Sequence, residues 1–99
     1  MFGLQLLNRH ASAVEAEDAL AKLRRRLPHL LCNATGQTVI DDLPMDSMDV
    51  VEVLCAIEDE FGVSINADVF IKARTVGDLS MAVATRVRRG PGRDRHALR

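Results

Sequence analysis

The sequence predicts an all-α fold, a small four-helix bundle with a long loop between its first two helices and a short third helix. Three observations carry that prediction. Apolar residues recur at helical spacing in separate segments. Each segment is bracketed by capping and stopping residues. No stretch alternates apolar and polar residues as a half-buried strand would. With 99 residues and 47% hydrophobic content, the chain has material for one core.

The first helix is predicted over residues 13–27. Ser12-Ala13-Val14-Glu15 reads as a capping box, and Pro28 stands at the far end. Val14, Leu20, Leu23 and Leu27 are expected on or near its apolar face. Arg24-Arg25-Arg26 suits the last turn, where positive charge meets the negative helix end. Residues 28–45 read as a long loop with Asn33-Ala34-Thr35-Gly36 as turn chemistry. A connection this long in a small domain is functional or holds short structure of its own. Leu30, Leu31, Val39, Ile40 and Leu43 are expected to pin it to the core.

Asp46 reads as the cap of the second helix, about residues 47–60, with Asp49 in its first turn. Val50, Leu54, Ile57 and Phe61 form its apolar stripe, and Gly62 stops it. Asp59 and Glu60 sit at the negative end of that helix, a small cost that a surface role would explain. A short third helix is expected at 67–72. Thr75 caps the fourth, which runs to about Val87 and buries Leu79, Ala82, Val83 and Val87. Residues 1–12 read as an N-terminal extension, 13–88 as the domain, and 89–99 as a basic tail. Its Gly, Pro and charge give no core pattern, so disorder is expected there.

The net charge of −1 is a cancellation. Between Val39 and Glu60 lie eight acids and no Lys or Arg, giving −8. From Arg86 to Arg99, six Arg against one Asp give +5. An acidic segment recruits basic partners and speeds their encounter. No apolar run reaches membrane-spanning length, and no signal segment is evident, so a cytoplasmic, monomeric protein is expected. Trp and Tyr are absent and Phe numbers three, which excludes an aromatic platform for single-stranded bases. Nucleic-acid binding through the arginines is not expected, since no recognition motif accompanies them.

Cys32 and Cys55 form neither a redox pair nor a zinc framework, and their apolar neighbours suggest small buried hydrophobes. No metal-ligand cluster appears. Ser47 stands at the first turn of the acidic helix, just after the loop. Its hydroxyl is expected to face solvent, where the helix end favours a phosphate. His10, His29 and His96 are scattered, so no base is at hand and no catalytic residue is assigned. Ser47 reads instead as a site that another enzyme modifies.

The run Asp46-Ser47-Met48 resembles the Asp-Ser-Leu motif of the acyl carrier protein family. Val39-Ile40-Asp41-Asp42-Leu43 is similar to the family's approach to that motif. Ile57-Glu58-Asp59-Glu60-Phe61-Gly62-Val63-Ser64-Ile65 is similar to its Leu-Glu-acid-Glu-Phe-Gly-Ile-x-Ile run. Thr75-Val76-Gly77-Asp78 is similar to the start of its fourth helix. The resemblance covers about residues 13–87, and three motifs in register are far more specific than Asp-Ser alone.

The resemblance implies a carrier rather than an enzyme. It implies that a phosphopantetheinyl transferase moves 4′-phosphopantetheine from coenzyme A to Ser47. The arm's thiol would then carry acyl thioesters between enzymes of fatty-acid, polyketide or related metabolism. It implies a partner-recognition face of Asp46, Met48, Asp49, Glu52 and Glu58. Val51 and Cys55 would lie near the rim where acyl chains enter. The implied partners are acyl-transferring, ligase or synthase enzymes with basic docking surfaces. Met48, Pro44, Asn66 and Ala73 replace the family's usual Leu, Gly, Pro and Ile, and Val69-Phe70-Ile71 makes the third helix less acidic. These departures suggest a specialised member. An aminoacyl or peptidyl carrier, and an adaptor that is never loaded, are the alternatives.

Overall fold

Ser12, itself extended, opens α1, Ala13–Arg26, in a computed structural model that describes residues 11–89. The expectation of a disordered tail lies outside the described residues beyond Arg89, as does most of the N-terminal extension. Ser12 Oγ accepts from the Glu15 N–H at 3.2 Å, and Glu15 Oε1 accepts from the Ser12 N–H at 2.7 Å. This is the predicted capping box. Ala16, Ala19, Leu20 and Leu23 form the buried stripe. Val14 does not join it and is 78% exposed. Nine residues separate it from Leu23, about two and a half turns, which places the two on opposite faces.

Leu27 leaves the helix, and Pro28 then opens a one-turn helix, α2 (Pro28–Leu31). Proline both stops α1 and starts α2, because its missing N–H is harmless at a first helical position. A 3₁₀ turn follows at Ile40–Asp42. The long loop therefore carries short structure of its own. Leu31 and Ile40 are buried, and Leu30 and Leu43 are partly so. Val39 keeps its side chain exposed, and its backbone instead pairs antiparallel with Thr75.

The acidic helix is α3, Ser47–Phe61, ended by Gly62 in the left-handed conformation (φ 71°). Its buried residues are Val53, Ala56 and Ile57. Val50, Leu54 and Phe61 flank them half-buried, so the predicted stripe marks the edge of the buried face rather than its centre. Both cysteines are exposed, against expectation. Cys55 is two residues from both Val53 and Ile57, which turns it about 200° away from each. Cys32 sits at the C-terminal cap of α2.

The short α4, Ala67–Lys72, is capped by Asn66, whose Oδ1 accepts from the Val69 N–H at 3.3 Å. Phe70 turns into the core, while Ile71 is 77% exposed. The last helix, α5 (Val76–Arg89), runs two residues past Val87. Leu79 and Val83 are buried as expected, Ala82 is intermediate, and Val87 lies at the surface. α1 packs most extensively on α5. Arg88 of α5 holds the Glu15 carboxylate at 3.0 Å, tying that helix to the start of α1.

The long loop is fastened to the α4–α5 junction by backbone alone. Ile40 N–H donates to Arg74 O at 2.8 Å, Val76 N–H to Thr38 O at 2.8 Å, and Gly77 N–H to Gly36 O at 2.9 Å. A Cβ at Gly77 would stand 2.5 Å from Gly36 O, so no side chain fits there. At most helical positions Gly→Ala stabilises, by about 0.5–1 kcal/mol. Here overpacking of about 1–3 kcal/mol outweighs that gain. Gly77→Ala is therefore expected to lower the denaturant midpoint, and an unchanged or raised midpoint would contradict the contact.

Asp78 caps α5 with Thr75. Its Oδ2 accepts from the N–H groups of Arg74 and Thr75 at 3.1 Å each, and Thr75 Oγ1 accepts from the Asp78 N–H at 3.1 Å. The Thr75 and then the Arg74 backbone hydrogen bonds hold the Asp78 carboxyl below the ordinary carboxylate range. The unfolded chain binds this proton near pH 4, and the folded chain binds it lower. Stability from Asp78 is therefore present above about pH 4 and is lost as pH falls through the folded value. Urea melts from pH 6 to pH 3 should show a smaller loss for Asp78→Ala than for the parent chain. Equal losses would show that this carboxylate is not the titrating group.

Candidate functional site

The approach to α3 is extended: Asp46, at φ −106° and ψ −174°, is the last residue before the helix. Its Oδ1 accepts from the Asp49 N–H at 3.0 Å, and Asp49 Oδ2 accepts from the Asp46 N–H at 3.1 Å. Two aspartates thus build the capping box that Ser/Thr and Glu usually supply. Their charge lies against the positive end of the helix. Ser47 occupies the first helical position, exposed to solvent.

The chain has four serines, and the folded structure commits three of them. Ser12 caps α1. Ser64 Oγ donates to Glu58 Oε2 at 3.1 Å. Ser80 is buried and donates to Val76 O at 2.9 Å. Ser47 Oγ makes no hydrogen bond among the described residues. The N–H groups of Ser47 and Met48 likewise have no partner there, as expected for orphan donors of a first turn. A hydroxyl that is exposed and uncommitted, beside free donors that favour phosphate oxygens, fits a phosphodiester-linked arm.

Met48, Val51, Cys55 and Glu58 follow at steps of three, four and three, forming one strip down the exposed side of α3. Met48 is 74% and Val51 53% exposed. Val51, Leu54, Cys55, Glu58, Ser64 and Ile65 line a shallow hollow of about 130 Å³. All the residues singled out in the sequence lie on α3 or its cap. Among the described residues, no three His, Cys, Asp or Glu gather as a metal site.

The acids of this segment are not equivalent. Arg26, from the last turn of α1, binds Asp59 and reaches Glu60 at 3.4 Å. The Asp59 hydrogen bond, then the nearby charges, raise the guanidinium's pKa. That pairing explains how two acids are tolerated at the negative end of α3. His29 Nε2 lies 3.2 Å from Glu52 Oε2, so one of the scattered histidines meets the acidic helix at the surface. Its signal in the sequence was Pro28, which opens the turn that brings His29 beside α3. Asp41, Asp42, Asp46 and Asp49 hold no ion pair among the described residues.

Residues 20–83 match the family described as "Phosphopantetheine attachment site". That span is well over half of the chain and contains the whole of α3. The chain is 51% identical over 43 residues to "Acyl carrier protein" of Sinorhizobium fredii (strain NBRC 101917 / NGR234). It is 51% identical over 43 residues to "Acyl carrier protein AcpP" of Rhizobium meliloti (strain 1021). Each match covers 43% of this chain and 55% of the relative, so the chain spans about half the length of these curated relatives. No solved structure matches the chain. The chain belongs to the phosphopantetheine-attachment family, whose cofactor is covalently attached 4′-phosphopantetheine.

Proposed function

We propose that the chain is an acyl carrier whose arm is esterified to Ser47 Oγ. The observation that carries this reading is that Ser47 alone among the four serines is exposed and uncommitted. In the loading step Ser47 Oγ bonds to the phosphorus of coenzyme A's phosphopantetheine. The bond to the adenosine bisphosphate breaks, and the serine proton leaves with a base of the transferase. The bound arm supplies a thiol that holds acyl groups as thioesters, activating the acyl carbon and the carbon beside it.

The residues of this chain present the arm. The aspartate capping box holds Ser47 at a rigid helix end, and Asp41, Asp42 and Asp49 offer charge around it. Met48 and Val51 add apolar contact. Partners with basic docking surfaces, the transferase first among them, would meet this face. Exposed ion pairs contribute only about 0–1 kcal/mol each. Such contacts suit a shuttle that must leave one partner for the next, and they weaken as salt rises. The cargo is an acyl intermediate of fatty-acid, polyketide or related metabolism, and the setting is the cytoplasm.

Coexpression with a broad phosphopantetheinyl transferase is expected to raise the intact mass by one arm, ~340 Da. Ser47→Ala should show no gain. An unmodified parent chain, or an equal gain on Ser47→Ala, would overturn the assignment.

A further inference from the structure

A groove of about 390 Å³ lies between α4 and α5. Ile65, Val69, Met81 and Ala82 give it apolar walls, and each of them is only part-buried. Arg86 and Arg89, in the last turn of α5, line its end. Asn66, Asp78 and Thr85 along it serve the fold. Asn66 caps α4, Asp78 caps α5, and Thr85 Oγ1 accepts from the Ala11 N–H at 3.1 Å. That last bond also fixes where the preceding chain runs. The Ala11 nitrogen is the atom joined to His10, so residues 1–10 begin at Thr85, on the wall of this groove. A second groove, lined by Val14, Ala84 and Val87, lies between α1 and α5, and Thr85 is not part of it.

We propose that residues 2–7 of this chain occupy the groove between α4 and α5, as a strap that braces α4. Phe2, Leu4, Leu6 and Leu7 are large and apolar, and removing them from water requires an apolar surface to meet. The first charged side chain of the sequence is Arg9, so no charged side chain has to enter between the apolar walls. The lengths agree. Leu7 stands four residues before Ala11, at most about 14 Å of extended chain, and Phe2 stands nine before it, at most about 32 Å. From Thr85 to Asp78 the groove runs about 10 Å along α5. Residues 2–7 can therefore all reach Met81 and Val69. A cavity of about 150 Å³ holds a benzene ring, so the groove has room for about two side chains of this size. The strap has a structural use, because α4 is one short helix with Phe70 as its buried residue. Apolar side chains lying on both Val69 and Met81 would tie that helix to α5.

The test is made by NMR on the full chain. Nuclear Overhauser contacts are expected between the side chains of residues 2–7 and the methyl groups of Val69 and Met81. Contacts with Val14 and Val87 instead, or with neither groove, would overturn the proposal. So would contacts that arise only between differently labelled copies in a mixed sample, because the occupant would then be a second molecule. Leu4→Asp/Leu6→Asp should abolish the contacts, and the milder Leu4→Ala/Leu6→Ala should weaken them. Hydrogen peroxide should oxidise Met81 several-fold faster in the aspartate variant and by a smaller factor in the alanine one. Met48, already 74% exposed, should oxidise at an unchanged rate and serves as the internal reference. A Met81 rate that is the same in the parent and both variants would overturn the proposal as well.

Discussion

Gly36 and Gly77 meet backbone to backbone, and the position of the long loop depends on that contact. The carbonyl of Gly36 lies where a Cβ on Gly77 would have to go. Only the missing side chain lets the Gly77 N–H reach it, and the bonds at Thr38 and Ile40 follow in register. The loop is thereby held against the start of α5 while Leu31 and Ile40 anchor it in the core. After a tight turn in which the Met45 N–H donates to Leu43 O, Asp46 is extended, which is the geometry an N-terminal cap requires. Ser47 follows it as the first residue of α3, exposed to solvent.

The same contact gives each residue of Thr75-Val76-Gly77-Asp78 a separate physical reason. Thr75 and Asp78 cap each other's backbone, Val76 is buried in the core, and Gly77 admits the loop. The acidic segment divides in a similar way. Asp46 and Asp49 hold the helix start together, and Asp59 and Glu60 hold α1 through Arg26. Glu52 faces His29 and Glu58 faces Ser64. A formal −8 is therefore not a uniform −8 surface. The acids that hold no ion pair among the described residues are Asp41 and Asp42 in the loop and Asp46 and Asp49 at the start of α3.

Much of this was legible in the sequence because it is local. Ser12, Asp46 and Thr75 cap helices through bonds to residues three positions away, and Gly62 and Pro28 end them by their own backbone limits. The helix spans and the exposure of Ser47 follow from such short-range rules. What the sequence hid was tertiary. Cys55 has apolar neighbours in the chain yet points away from the buried face, and Val14 does the same on α1. The Arg26 clamp joins residues more than thirty positions apart. The groove between α4 and α5 needs Ile65, Met81 and Arg89 to be neighbours, which no local pattern states.

The central claim is that folding leaves one serine available and that this serine takes the arm. Peptide-resolved mass spectrometry of the folded chain, treated with coenzyme A and a phosphopantetheinyl transferase, addresses it directly. The account predicts the added group on the peptide containing Ser47, with Ser12, Ser64 and Ser80 unmodified. Modification at any of those three, or none at Ser47, would contradict it.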